Sequence, residues 1–256
     1  MGFTALMYHS LSDGQHPDAL YPKYTTRLAT FREHLTALVD AGFELGSFRE
    51  LMESSDAGMP LPDKTCALTF DDGHRSSLEM AEVMQEFGVT GTFFLTADYC
   101  RQKPDFLKPE DIRALAEEGF DFGTHGVTHR PLKFLPPAEM KQELSESKAW
   151  LEEVLGAPVR TMSLPAGKGG SAVCREAFAQ GYRLIGTSKE GANRTLKLPA
   201  TVNRLVVLAN HSAREVLKIA AASPAYVWKR RLRAMAIWLP KKLLRTAHAT
   251  RQESSR

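Results

Sequence analysis

The sequence predicts an α/β fold of the (β/α)7-8 barrel kind, and three observations lead there. Short apolar runs alternate with segments of helical period along most of the chain. About seven or eight such pairs follow one another, and glycines stand where the helical segments should stop. A chain of 256 residues, 43% hydrophobic and 25% charged, suits one large domain of this class. An open doubly wound sheet has the same element order, so it stays open as an alternative. No GxGxxG or P-loop supports a nucleotide-binding version of it.

Taken in order, the first strand is expected at residues 3–8, followed by a helix over 28–39 with Phe31, Leu35 and Leu38 on one face. Further strands are expected at 66–70, 92–96, 120–123, 160–164, 183–187 and 205–208. Helices are expected between and after them at 78–87, 109–118, 137–155, 172–180 and 213–221. Gly42, Gly88, Gly119, Gly156 and Gly181 each follow a periodic segment as C-terminal stops. Residues 54–64, rich in Gly, Pro and Asp, suit a surface loop.

Charge divides the chain in two. Residues 223–256 carry nine Lys/Arg against Glu253 alone, which leaves 24 basic against 29 acidic residues in the remainder. The expected organisation is therefore a domain over 1–222 and a basic C-terminal extension over 223–256. In the extension Trp228, Leu232, Met235 and Leu239 recur at helical spacing while Lys229, Arg230 and Arg233 face away, the pattern of a basic amphipathic helix. It suits either packing on the barrel or contact with an anionic membrane surface. No nucleic-acid partner is expected, because no recognition motif is present and the domain proper is acidic. The cysteines Cys66, Cys100 and Cys174 are odd in number and far apart, suggesting neither a disulfide framework nor a Cys-based metal site. With no basic, apolar leader at the N-terminus and no run long enough to span a bilayer, a cytoplasmic protein is expected, peripheral at the inner membrane face if the extension binds lipid.

The chemistry concentrates in two stretches. In Leu68-Thr69-Phe70-Asp71-Asp72-Gly73, two acids end an apolar strand and a glycine frees the turn. Neighbours at a strand end point differently, so one carboxylate can bind a metal while the other accepts a proton. A strand-ending turn with an N-capping Asp would explain the pair if it stood alone. The second stretch is Gly123-Thr124-His125-Gly126-Val127-Thr128-His129, whose histidines share a face if the segment turns helically. With Asp72 they make a set of two His and one carboxylate that leaves coordination positions for water and substrate.

These stretches resemble the first two motifs of the polysaccharide deacetylase family, also described as NodB-homology domains or carbohydrate esterase family 4. The similarity continues through His129-Arg130-Pro131-Leu132 into a long helix with Glu143 and Ser147, and covers about residues 3–221. It implies a distorted (β/α) barrel, Asp71 as catalytic base, and Asp72, His125 and His129 as ligands of a divalent metal, zinc foremost. The third motif departs from the family. Many members have Arg-x-Pro-Tyr/Phe-Gly where this chain has Ser163-Leu164-Pro165-Ala166-Gly167, so the Arg that would orient and ionise the base is missing. A backbone N–H near Ala166 still suits an oxyanion, with Pro165 and Gly167 shaping the turn. The stretch is closest to a subset that also lacks the Arg and carries a Tyr-His pair on its first strand, here Tyr8-His9. His9 is accordingly assigned as general acid, with His211 as competitor.

The resemblance implies a metal-dependent hydrolase that removes the acetyl group from an N-acetylated sugar in a glycan or glycan precursor. Two other classes remain open: a related C–N hydrolase acting on a non-sugar or cyclic amide, and a weakly active sugar-binding relative.

Overall fold

The structure, a computed structural model, describes residues 2–12, 21–223 and 226–227. The predicted basic extension, apart from Ser223, Tyr226 and Val227, lies outside the described residues. In chain order the elements are β1 (Thr4–Tyr8), β2 (Ser10–Ser12), β3 (Thr25–Arg27), α1 (Leu28–Asp40), β4 (Glu44–Gly46), α2 (Phe48–Asp56) and β5 (Thr65–Asp72). There follow α3 (Ser77–Glu86), β6 (Thr92–Leu95), α4 (Ala97–Gln102), α5 (Pro109–Glu117), β7 (Asp121–Thr124) and α6 (Pro137–Leu155). The last are β8 (Thr161–Ser163), α7 (Ser171–Ala179), β9 (Leu184–Thr187), β10 (Ala200–Asn203), β11 (Leu205–Val206) and α8 (Ala213–Ala221).

Parallel strands run in the order β10-β9-β8-β7-β6-β5-β1-β11, with β4 alongside the start of β5. Arg204 alone separates β10 from β11. Residues 200–203 pair with β9 and residues 205–206 pair with β1, so one interrupted strand joins both ends of the sheet. That closure selects the barrel over the open doubly wound alternative.

Alternation along each strand sorts the residues into two cores. Leu6 and Tyr8 of β1, with Cys66, Leu68 and Phe70 of β5, join Phe31, Leu35 and Leu38 of α1 in the layer between sheet and helices. Phe3, Ala5, Ala67, Phe94, Leu184 and Val202 form a second cluster with Phe48, Leu51 and Met52 of α2. Helix α2 is absent from the sequence expectation, although the capping box of Ser47 and Glu50 announces its start. It takes the first residues of the stretch expected as loop, leaving 57–64 irregular. The expected glycine stops at 42, 88, 119, 156 and 181 all have positive φ. All three cysteines are free.

Candidate active site

The site lies at the C-terminal ends of the strands, where a parallel barrel gathers its loops. A cavity of about 330 Å³ there is lined by Met7, His9, Tyr21, Tyr24, Asp71, Asp72, His125, His129, Ala166, Gly167, Ser188 and Val206.

The two acids of β5 are separated by strand geometry. Asp71 continues the parity of Ala67 and Thr69, whereas Asp72 starts a sharp turn with φ of 79°, followed by Gly73 at 81°. Gly73 also has no room for a side chain, since a Cβ would lie 2.8 Å from Leu95 Cδ2. His129 and Ala166, with φ of 63° and 53°, are two more non-glycine residues in the left-handed region at this site. Each such conformation costs on the order of 1 kcal/mol and persists only where its surroundings impose it.

The histidine segment does not turn helically, contrary to the condition set on the sequence. It is an irregular loop with positive φ at Gly126 and His129. Glu143 of α6 holds it: Oε2 accepts from the N–H of Val127 at 2.7 Å and of Thr128 at 3.0 Å, while Oε1 accepts from the Thr128 hydroxyl. A buried carboxylate thus takes the role that a helical hydrogen-bond ladder would otherwise play.

The loop brings both imidazoles onto Asp72. Its Oδ1 is buried without a hydrogen-bond partner, facing Nε2 of His129 at 3.2 Å and of His125 at 3.5 Å. Ligand atoms of a tetrahedral ion with bonds of about 2.1 Å stand about 3.4 Å apart, so the three atoms fit a small divalent cation. Burial holds the His125 pKa down at about 4 despite the neighbouring Asp71 carboxylate, keeping the imidazole neutral. Its Nδ1 lies 3.0 Å from the Ser163 carbonyl oxygen and 2.9 Å from Ser163 Oγ. With Nε2 turned to Asp72, Nδ1 is the nitrogen that donates to that carbonyl. Burial would lower His129 as well, but the Asp72 carboxylate outweighs it and raises the pKa.

Asp71 borders this cluster, its Oδ2 4.0 Å from His125 Nε2, but spends its hydrogen bonds on Arg204, a residue absent from the sequence reading. Arg204 Nη1 donates to Asp71 Oδ1 at 2.6 Å and Nη2 to Oδ2 at 2.8 Å. The remaining guanidinium donors reach Thr69 Oγ1 at 3.2 Å, Ser163 Oγ at 2.8 Å and the Thr187 carbonyl at 3.2 Å. All five N–H groups of this fully buried side chain are therefore used. Burial opposes ionisation of Asp71, yet the Arg204 charge and hydrogen bonds prevail and hold its carboxyl well below the usual range. The sequence signal was faint, one basic residue immediately before the apolar run at 205–208.

His9 follows Met7 in parity and enters the same cavity. It stacks on Tyr24, ring centroids 4.7 Å apart at 21°, and its buried Nδ1 has no hydrogen-bond partner among the described residues. It stands near enough to influence both the Asp71 and the Asp72 carboxylates. His211 does not line the cavity. Its ring Nδ1 accepts from the Leu208 N–H at 3.1 Å, in the turn before α8. In the third-motif turn, Gly167 N–H donates to Leu164 O and Lys168 N–H to Pro165 O, while no bond among the described residues uses the Ala166 N–H.

Comparison with known proteins agrees with this geometry. The sequence model of the polysaccharide deacetylase family matches residues 58–185, half of the chain. YxkH of Bacillus subtilis (strain 168) is 28% identical over 191 residues, 73% of this chain and 64% of that one. The peptidoglycan-N-acetylmuramic acid deacetylase PdaA of the same organism is 26% identical over 149 residues, 57% of this chain and 54% of that one. The match thus spans less than two thirds of either relative. Among solved structures, the Streptococcus pyogenes deacetylase PplD in complex with acetate superposes with a TM-score of 0.77 at 20% identity. That superposition covers 88% of this chain and 99% of that one, a likeness of fold.

Proposed function

This chain belongs to the polysaccharide deacetylase family, and from that premise we propose that it is a metal-dependent hydrolase removing the N-acetyl group from an N-acetylated sugar, with release of acetate. The observation that carries the reading is the division of labour between adjacent acids. Asp72 faces two neutralisable imidazoles, while Asp71, one residue away, is held ionised by Arg204.

Asp72, His125 and His129 would hold one divalent cation, zinc on our reading, which supplies Lewis acidity and lowers the pKa of water in the site. Asp71 accepts the proton of the attacking water. Its ionised state is secured by Arg204 at some cost in basicity. The Ala166 N–H, unspent in its own turn, donates to the oxyanion that forms at the acetyl carbon. His9 gives a proton to the departing amine, its ring kept in place by Tyr24 rather than by a carboxylate. The cavity of about 330 Å³ suits an acetamido group together with about one sugar ring. The name of PdaA supports a glycan as substrate class.

The test is acetate release from a panel of free, nucleotide-linked, lipid-linked and polymeric N-acetylated sugars, with and without added zinc. Zinc-dependent acetate from at least one class is expected. Silence across the panel, from folded protein that binds zinc, would sink the reading.

A further inference from the structure

At the third-motif position where the resemblance to the family implies an Arg, this chain has Ser163, and the guanidinium that grips Asp71 comes from residue 204. These positions face each other inside the barrel, with Ser163 Oγ accepting from Arg204 Nη2 at 2.8 Å. Opposite, β9 yields space: a Cβ on Gly186 would stand 2.8 Å from Arg204 Nε and 3.0 Å from its Cδ. Resting on the proposed deacetylase reading, we propose that positions 163 and 204 are exchanged partners, alternative origins of one base-holding guanidinium. The serine left at 163 has become a positioning residue that couples the Asp71–Arg204 pair to the metal ligand His125.

Ser163 is suited to both halves of that role. Its hydroxyl oxygen takes one of the five guanidinium donors, which fixes Arg204 laterally while Asp71 fixes it end-on. The same residue holds His125 Nδ1, through its carbonyl oxygen at 3.0 Å and with Oγ at 2.9 Å. A shift of Arg204 is therefore felt at His125 through a single residue, and the base and the ligand share one support. Thr187 O and Thr69 Oγ1 anchor the guanidinium on its other sides, so the grip does not depend on Ser163 alone. Removing Ser163 Oγ loosens the assembly, whereas removing Arg204 undoes it.

Four variants of the full chain test the proposal: Arg204→Ser, Arg204→Lys, Ser163→Ala, and the exchange Ser163→Arg with Arg204→Ser. Steady-state acetate release is measured alongside zinc affinity by competition with a chromophoric chelator and melting temperature. Arg204→Ser should lose at least about a hundredfold in kcat while KM is retained, the low end of what a positioned general base contributes. Arg204→Lys, a point charge without the planar fork, should recover only part of this. Ser163→Ala should lower zinc affinity by about tenfold, as loss of an outer support of a metal ligand does. The exchange variant should regain at least about a tenth of the lost kcat, which a merely structural role for Arg204 does not foresee. A folded, zinc-binding exchange variant no more active than Arg204→Ser overturns the exchange, and unchanged zinc affinity in Ser163→Ala overturns the coupling. If the parent chain releases acetate from nothing, it is the deacetylase reading that has failed, while the zinc measurement still judges Ser163.

Discussion

Gly186 touches neither substrate nor metal, yet adding one methyl group there should impair the site. It sits on β9 beside the Arg204 side chain, and an added Cβ would stand 2.8, 3.0 and 3.2 Å from its Nε, Cδ and Cζ. Unstrained contacts between such atoms need about 3.5 Å or more, so the guanidinium must retreat by about half an ångström. Arg204 has no slack: five hydrogen bonds fix it, two of them to Asp71 at 2.6 and 2.8 Å. A retreat of that size stretches the Asp71 contacts toward the limit of about 3.2 Å for a good N–H···O bond. Overpacking of this kind costs about 2 kcal/mol, which for a chain of this length lowers the melting temperature by roughly 4–8 °C. Since a misplacement of about 1 Å near the chemistry is worth about a hundredfold, half of it should cost kcat about tenfold. Calorimetry and acetate release on Gly186→Ala read both effects. Gly170→Ala serves as control, because a Cβ there meets nothing within 4 Å and its φ of 179° is ordinary extended backbone. Wild-type melting temperature and kcat in Gly186→Ala would refute the argument that Arg204 is tightly seated.

Dialysis against a strong chelator should abolish acetate release, and one equivalent of zinc should restore it; His125→Ala should lose metal and activity together, as metal analysis would show. Asp71→Asn should keep its metal while kcat falls at least about a hundredfold, and full turnover would remove Asp71 as the base. At the opposite end of the barrel, burial pushes the Asp121 carboxyl up to about 6, against a hydrogen bond from Thr92 and the charge of Arg49. Its folded pKa thus exceeds the ordinary 3.8, so its contribution to stability is full below about pH 4 and is lost as pH rises through about 6. The loss amounts to about 3 kcal/mol. Asp121→Asn should therefore gain on the parent in urea melts near pH 8 and lose that gain near pH 4; equal stabilities near pH 8 would contradict the sign.

Most of the barrel could be read from the chain because a parallel strand buried on both faces is an apolar run, as at residues 66–70, and the helices α1, α3, α5, α6 and α7 are each followed by a glycine. β10 escaped since Ala200–Asn203 is partly exposed and polar, and its apolar content was too thin to register. Asp71, Asp72, His125 and His129 stood out because local motifs carry them. The helical turn on which the shared face of the histidines was conditional is not present, and Glu143 instead supplies the acceptors for the backbone of this loop. Arg204 could not be foreseen: its meaning comes from a neighbour 133 residues away, and only the closed sheet brings the two together.

The interrupted closing strand also sets the order in which this protein becomes competent. The stretch that matches the family, residues 58–185, contains Asp71, Asp72, His125 and His129 but neither His9 nor Arg204. Those two come from opposite reaches of the chain, brought to one side of the barrel by the pairing of β1 with β11, and each acts on Asp71. A nascent chain emerging N-terminus first therefore displays every recognisable motif before it has the cation that its buried carboxylate needs. Until residues 200–206 join the sheet, Asp71 lacks the guanidinium that holds it ionised in the complete barrel. Competence is thus conferred by the last strand to arrive, and a chain cut short of Arg204 would carry the family's full signature while lacking its chemistry.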